Sequence, residues 1–250
     1  MSSTSPDMSE QEWALRVDLA AAFRLCVEFG WHESVGNHFS ATLSEDGRTF
    51  LLNPKWKHFS TIKASDLLKV CLDDEDIMTR PDAPDPSAWC VHGSIHAAVP
   101  QAKVLLHCHP IYATTLCMLE DPSILPLDTT TGRFFSRVKV DLDCGGQADS
   151  DAEGKRIAST MGNYPIMMMG NHGVSVTGQT VWEAFEDLYF LERASQLMVL
   201  AHSTGKPLNV MPDDIAQEVA DGWRVYWEAG KAHFEHLKST LDARDPSYAH

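Results

Sequence analysis

The stretch VLLHCHPIY, Val104–Tyr112, decides how the chain is read. An apolar run leads into two histidines that flank one cysteine, and a proline follows. Residues two apart on a strand share a face, so His107 and His109 project together and Cys108 points away. Pro110 suits the first residue of a helix, PIYATTLCMLE. The pair therefore sits at the carboxyl end of a strand, where layered α/β proteins build their sites. Two neutral imidazoles there can share one metal ion, with a third ligand from elsewhere. Two histidines that only hydrogen-bond inside the protein would fit the same short pattern.

The rest of the chain alternates strands with helices. Ser9 with Glu12 forms a capping box before WALRVDLAAAFRLCVEFG, a helix that ends at Gly30. NHFSATL sets Phe39, Ala41 and Leu43 against His38, Ser40 and Thr42, the period of a strand. With EDG between them, NHFSATL and RTFLLNP suggest a hairpin. ASDLLKVCLDD reads as a turn of helix and a strand, RPDAPDPS as a loop, and Ser87 as the cap of a helix through Ala98. YPIMMMG and GVSVTG are strands about a tight turn at Asn171–His172. Thr180 with Glu183 caps a long helix that Gly205 closes, and one last helix covers Asp213 to Leu241. Such interleaving predicts an α/β or α+β domain built on one mixed sheet.

Composition narrows the class. The chain has 250 residues, and no linker or repeat divides it, so one domain over 1–250 is expected. A net charge of −15 argues against nucleic acid or an anionic membrane as partner and leaves a small-molecule substrate open. Cysteines at 26, 71, 90, 108, 117 and 144 include no CxxC pair, which makes a thiolate zinc site unlikely. The polar, acidic start MSSTSPDMSEQEW does not read as a signal peptide, and no apolar run reaches transmembrane length. A reducing cytoplasm is the expected compartment.

His172, in GNHG, is the candidate third ligand, because glycines on both sides allow a tight turn. Three histidines with open positions make a catalytic metal site; zinc suits them, and manganese, cobalt or iron can use the same ligands. HGSIH places His92 and His96 on one helix face, but Gly93 stands where a zinc protease would need its glutamate. That pair reads as structural, or as support behind the ligands.

These pieces together resemble the class II aldolase/adducin head-domain family. The resemblance spans roughly residues 12–204 and rests on GNHFSA, FLLNP, ASDLLKV, the helix before HCHP, and GNHGVSVTG with its long helix. It implies a three-layer α/β/α sandwich with a central, mostly antiparallel sheet. It also implies a homotetramer with active sites between subunits, the segment 205–250 packing on a neighbour. His107, His109 and His172 stand where the family binds its divalent metal, usually zinc.

Departures from the family pattern bear on the reaction. The catalytic glutamate of the sugar-phosphate aldolases falls at Ala88, which cannot carry a proton. Epimerases of the family place aspartates at that position and at Arg133. Of the phosphate-binding residues, Asn37 and Ser87 remain, while Lys55–Trp56 replace the usual Thr-Gly. Trp56 fills space that a phosphate cradle needs. Trp56 with Trp89 then offers aromatic surface, and Lys55, His58 or Arg133 could meet an anionic group. Trp89 in the core and Trp56 on the surface are the plainer alternatives.

The resemblance with its departures implies a metal-dependent lyase acting on a non-phosphorylated hydroxy-carbonyl substrate, aromatic compounds included. Retro-aldol cleavage is the first reading, and decarboxylation shares its enolate. Tyr112, or less directly His58, is the candidate proton carrier. Tyr226 or Tyr248 is the candidate to complete a neighbour's site. Adducin heads have the fold without catalysis, and a non-catalytic assembly module is the rival class.

Overall fold

The computed structural model describes residues 8–143 and 146–250, so Cys144 lies outside the described residues. Seven strands form one sheet: β1 His38–Thr42, β2 Thr49–Leu52, β3 Leu68–Cys71, β4 Val104–Cys108, β5 Val138–Asp141, β6 Ile166–Met169 and β7 Val174–Gly178. Their order is β3-β2-β1-β4-β7-β6-β5. Every pairing is antiparallel except β5 with β6. This is the expected α/β class with a mostly antiparallel sheet.

Alternation assigns each strand one face to each helical layer. Phe39, Ala41, Val104, Leu106, Cys108, Val174 and Val176 belong to a large core with the helices α1 Glu10–Glu28 and α6 Val181–Ser203. Phe23 of α1 stacks on Phe39 with ring centres 4.8 Å apart, which registers the helix on the sheet. On the other face, Leu105, Met167 and Met169 pack beneath α2 Pro86–Ala98 and α5 Asp151–Met161. His38, Ser40, His107 and Ser175 alternate with core residues of the first layer, so their side chains lie on the α2 face. The three layers of the expected sandwich are present, and the polar residues of the central strands are gathered under one helix.

Local chemistry starts the helices as expected. Ser9 Oγ accepts the Glu12 amide, and Thr180 caps α6 by accepting from Glu183. Two boundaries differ. Asp85, not Ser87, is the N-cap of α2, and its side chain accepts the Ser87 amide. Pro110 precedes rather than begins α3 Ile111–Cys117. Glu192 of α6 reaches that helix start and accepts the amides of Tyr112 and Ala113 at 3.0 and 2.9 Å.

The C-terminal segment is corrected from one helix to two, after a short α4 Thr129–Gly132. α7 Asp213–Val225 and α8 Trp227–Arg244 are separated at Tyr226. α7 is tied to α4, where Trp223 Nε1 donates to the Thr129 carbonyl at 2.7 Å. α8 lies against α6 of its own chain, where a Cβ at Gly230 would come within 2.9 Å of Glu186 Cγ. The two helices meet at Tyr226, where neither Pro nor Gly marks the break. Tyr248 is 1% exposed in its own core, where its hydroxyl donates to Asp242. It is thus not presented to a neighbour, whereas Tyr226 is 71% exposed.

Candidate metal centre

β4 delivers the histidine pair, and the turn between β6 and β7 brings the third. One ring nitrogen from each of His107, His109 and His172 lies within 4.8 Å of the others. Ring centres are 5.2 Å apart for His107–His109 and 4.9 Å for each of those rings to His172. His107 is buried, and the other two are half-buried. The strand-end pair and the loop histidine singled out in the sequence therefore converge.

Two of the three rings are held from behind. His107 Nδ1 lies 3.3 Å from Ser175 Oγ, directly across the β4–β7 ladder. Ser175 gives its own proton toward Met169 Sδ, so its oxygen is free to accept from the imidazole. The Glu33 carboxylate contacts His109 Nδ1, which leaves Nε2 for a metal. That Nε2 is buried and has no hydrogen-bond partner among the described residues. An orphaned buried acceptor is costly unless something else meets it, and a metal ion does so. His172 follows Asn171, whose φ of 55° places the backbone in the left-handed region. Gly173 is required for a different reason: a Cβ there would lie 2.2 Å from His109 Cδ2 and 2.8 Å from the Cys108 carbonyl oxygen.

Electrostatics favour the ligating form. Burial, reinforced by His38, His172 and His109, holds His107 well below the usual imidazole range. Burial, with His109, also lowers His172. Both rings are neutral at pH 7 and present lone pairs without first losing a proton. The donor set, the orphaned nitrogen and the neutral rings fit a divalent metal.

A cavity of about 600 Å³ opens beside the triad. His107 and His172 line it, as do His38, Asp85, Ser87 and Asp149. Among the described residues no lysine or arginine lines it. Ser87 gives its hydroxyl proton to Asp85 Oδ1 at 2.7 Å. Ala88 is turned away into the apolar cluster of Phe50, Leu52, Val70 and Ile77. The position that lacks a carboxylate is thus core, and the helix cap three residues earlier supplies a carboxylate to the cavity instead.

The other residues singled out in the sequence are distributed differently. Ser87 lines the cavity. Asn37 is buried beside it and accepts the Glu33 amide at 2.6 Å, which fixes the loop that carries Glu33; its Nδ2 has no partner among the described residues. Trp56 is 73% exposed at a φ of 61°, with the Lys55 ammonium over its ring, and neither residue lines the cavity. Trp89 stacks near Phe50 and lines a separate groove. His58 pairs with Ser60 and packs on His32, outside the cavity. Tyr112 is half-buried and likewise outside it. Arg133 is bound to Asp187 at 2.9 Å between the Phe190 and Trp223 rings, and it lines another cavity. In this chain it is a structural cation rather than a neighbour of the triad. Glu33, Asp85 and His38 were not singled out as site residues; only the strand alternation of NHFSATL marked His38 as facing away from the apolar core.

Comparison with known proteins identifies the family and agrees with the fold. The family profile described as Class II Aldolase and Adducin N-terminal domain matches residues 17–199. A relative named "Putative aldolase class 2 protein", from Caulobacter vibrioides, is 32% identical over 211 residues, covering 84% of this chain and 81% of its own. Decarboxylase NovR of Streptomyces niveus is 26% identical over 212 residues, covering 82% of this chain and 75% of its own. The crystal structure of an aldolase II superfamily protein from Pseudomonas syringae superposes with a TM-score of 0.85 at 27% identity, covering 98% of each chain. The chain belongs to the class II aldolase and adducin N-terminal domain family.

Proposed function

We propose that the protein is a metal-dependent carbon–carbon lyase acting on a small, non-phosphorylated hydroxy-carbonyl compound. The observation that carries this reading is the cavity beside the three histidines: it offers carboxylates and no cationic side chain among the described residues. A phosphate dianion would meet Asp85 and Asp149 there, a repulsive arrangement. Hydroxyl groups, which donate hydrogen bonds, suit the same wall.

His107, His109 and His172 would hold the ion, with Ser175 and Glu33 orienting two of the rings. When bound, a divalent metal, zinc in the first instance, supplies Lewis-acid charge to a substrate oxygen. Asp85 is the carboxylate placed to carry a proton at the cavity wall, in the absence of one at position 88. Ser87 steadies that carboxylate through its amide and hydroxyl. Tyr112 and His58 do not line the cavity and lose ground as proton carriers, and exposed Tyr226 would reach a reacting atom only in a homotetramer. Among the described residues no helix is long and apolar enough to cross a membrane, and five cysteines are free, in keeping with a reducing cytoplasm.

Retro-aldol cleavage is the first reading. Decarboxylation of a hydroxy acid is the second, favoured by the similarity to the decarboxylase of Streptomyces niveus. The aromatic preference loses support, because neither Trp56 nor Trp89 lines the cavity. The test is turnover by zinc-loaded protein on matched panels of phosphorylated and unphosphorylated hydroxy-carbonyl compounds, with aldehyde and carbon dioxide both measured. Aldehyde release from the unphosphorylated panel is expected. Turnover of the phosphorylated panel alone would overturn the substrate class. A folded protein that holds no metal would favour the assembly-module reading.

A further inference from the structure

A chain of buried polar groups runs from the cavity to a backbone carbonyl. His38 and Ser40 are two apart on β1, and His92 and His96 are one turn apart on α2, so the two pairs mesh where the helix crosses the strand. All four are at most 6% exposed. His38 Nδ1 lies 2.8 Å from His92 Nε2, and His92 Nδ1 lies 2.5 Å from Ser40 Oγ. Ser40 Oγ is 2.6 Å from His96 Nε2, and His96 Nδ1 is 2.6 Å from the Ala102 carbonyl oxygen.

The carbonyl at the far end dictates every proton in the chain. It can only accept, so His96 carries its hydrogen on Nδ1 and its Nε2 is a lone pair. Ser40 must then donate to His96, which leaves its oxygen to accept from His92 Nδ1–H. His92 Nε2 is consequently an acceptor, and His38 donates to it through Nδ1–H. His38 Nε2 is left as a lone pair. Its partner among the described residues is Ser87 Oγ at 3.5 Å, whose proton is already given to Asp85. The assignment needs three neutral rings, and burial without a contacting carboxylate favours that form. Burial holds His96 down to about 4, and His92 well below the usual range.

His38 lines the cavity and stacks on His107 with ring centres 4.9 Å apart. We propose that His38 Nε2 is the hydrogen-bond acceptor for a substrate hydroxyl beside the metal centre, and that Ser40, His92 and His96 are positioning residues that fix its tautomer. The substrate part rests on the function proposed above; the tautomer does not. An acceptor held this way discriminates, because a ligand with a lone pair or a methyl group at that point leaves Nε2 unpaired or crowded.

Neutron diffraction on the perdeuterated full chain, metal-free at pH 7, tests the tautomer. Deuterium on Nδ1 of His38, His92 and His96, with none on His38 Nε2, is the expected map; deuterium on His38 Nε2 overturns the proposal. In S40A, deuterium at His38 should divide between the two nitrogens, and an unchanged His38 would remove the positioning role. Binding of lactate and of 2-methoxypropionate to zinc-loaded protein tests the acceptor. Wild type should prefer lactate, and His38→Phe, which keeps the stacked ring, should reduce that preference about tenfold, one hydrogen bond's worth. An unchanged preference overturns the acceptor role. Failure to bind zinc would count against the proposed function, while the neutron map still decides the tautomer.

Discussion

Substitution of Gly173 by alanine tests whether the metal centre depends on close packing of the His109 ring. The added Cβ would lie 2.2 Å from His109 Cδ2, where carbon atoms in contact prefer about 3.5–4.0 Å. The ring cannot retreat without consequence, because Glu33 holds its Nδ1 and the Cys108 carbonyl oxygen lies 2.8 Å from the same Cβ. Relief requires a shift of about 1.3 Å or more, whereas metal–ligand distances tolerate about 0.2 Å. Zinc affinity in G173A should fall by at least about 100-fold, at the upper end of what disturbing a ligand's support usually costs. Overpacking should lower stability by about 1–3 kcal/mol, or several degrees in Tm for a chain of this size. Competition with a chromophoric zinc chelator gives the affinity, and thermal unfolding of the metal-free protein gives the stability. Gly36→Ala is the control, since its nearest neighbour would be 3.7 Å away. Wild-type zinc affinity in G173A would refute the packing argument.

Glu33→Gln should weaken zinc binding by about 10–100-fold. It should change metal-free stability by under about 1 kcal/mol, because the Glu33 side chain is 67% exposed; calorimetry and unfolding curves separate the two effects. Asp85→Asn should lower kcat by about 10²–10⁴-fold while leaving zinc affinity within a few-fold, so steady-state kinetics with unchanged metal content would support the proton-carrying role. Acid should destabilise the fold through His96, whose folded value of about 4 lies below its unfolded 6.5. Between those values the unfolded chain binds more protons, so stability is complete above about pH 6.5 and is lost as pH falls toward 4, by about 3 kcal/mol for this group. Urea unfolding across that range should show a shallower acid slope in His96→Gln than in wild type.

Much of the fold was legible because its signals are local. Phe39 and Ala41 alternate with His38 and Ser40, and the structure puts them on opposite faces of β1. The convergence of the three histidines was legible for the same reason: HxH fixes a shared face, and GNHG marks a turn. The stretch 138–161 carried no assignment, yet it forms β5 and α5; β5 is a short, half-buried edge strand with a weak apolar pattern. The break at Tyr226 has no local breaker to announce it. Glu33 and His109 are 76 residues apart, and no pattern at either position announces their contact. For Arg133 an anionic substrate and an acid of the chain itself were equally open as partners, and Asp187, 54 residues away, is the one it meets. For Trp56 the motif it interrupts left pocket and surface both open; the residue has a left-handed backbone and its ring lies in solvent.

Metal content of the purified protein tests the central claim most directly. Wild type dialysed against trace zinc and analysed by plasma mass spectrometry should carry one metal ion per chain, and His107→Ala should carry essentially none while keeping its secondary structure. A folded wild-type chain that binds no divalent metal, or a His107→Ala chain that binds it as well as wild type, would contradict the assignment of His107, His109 and His172 as its ligands.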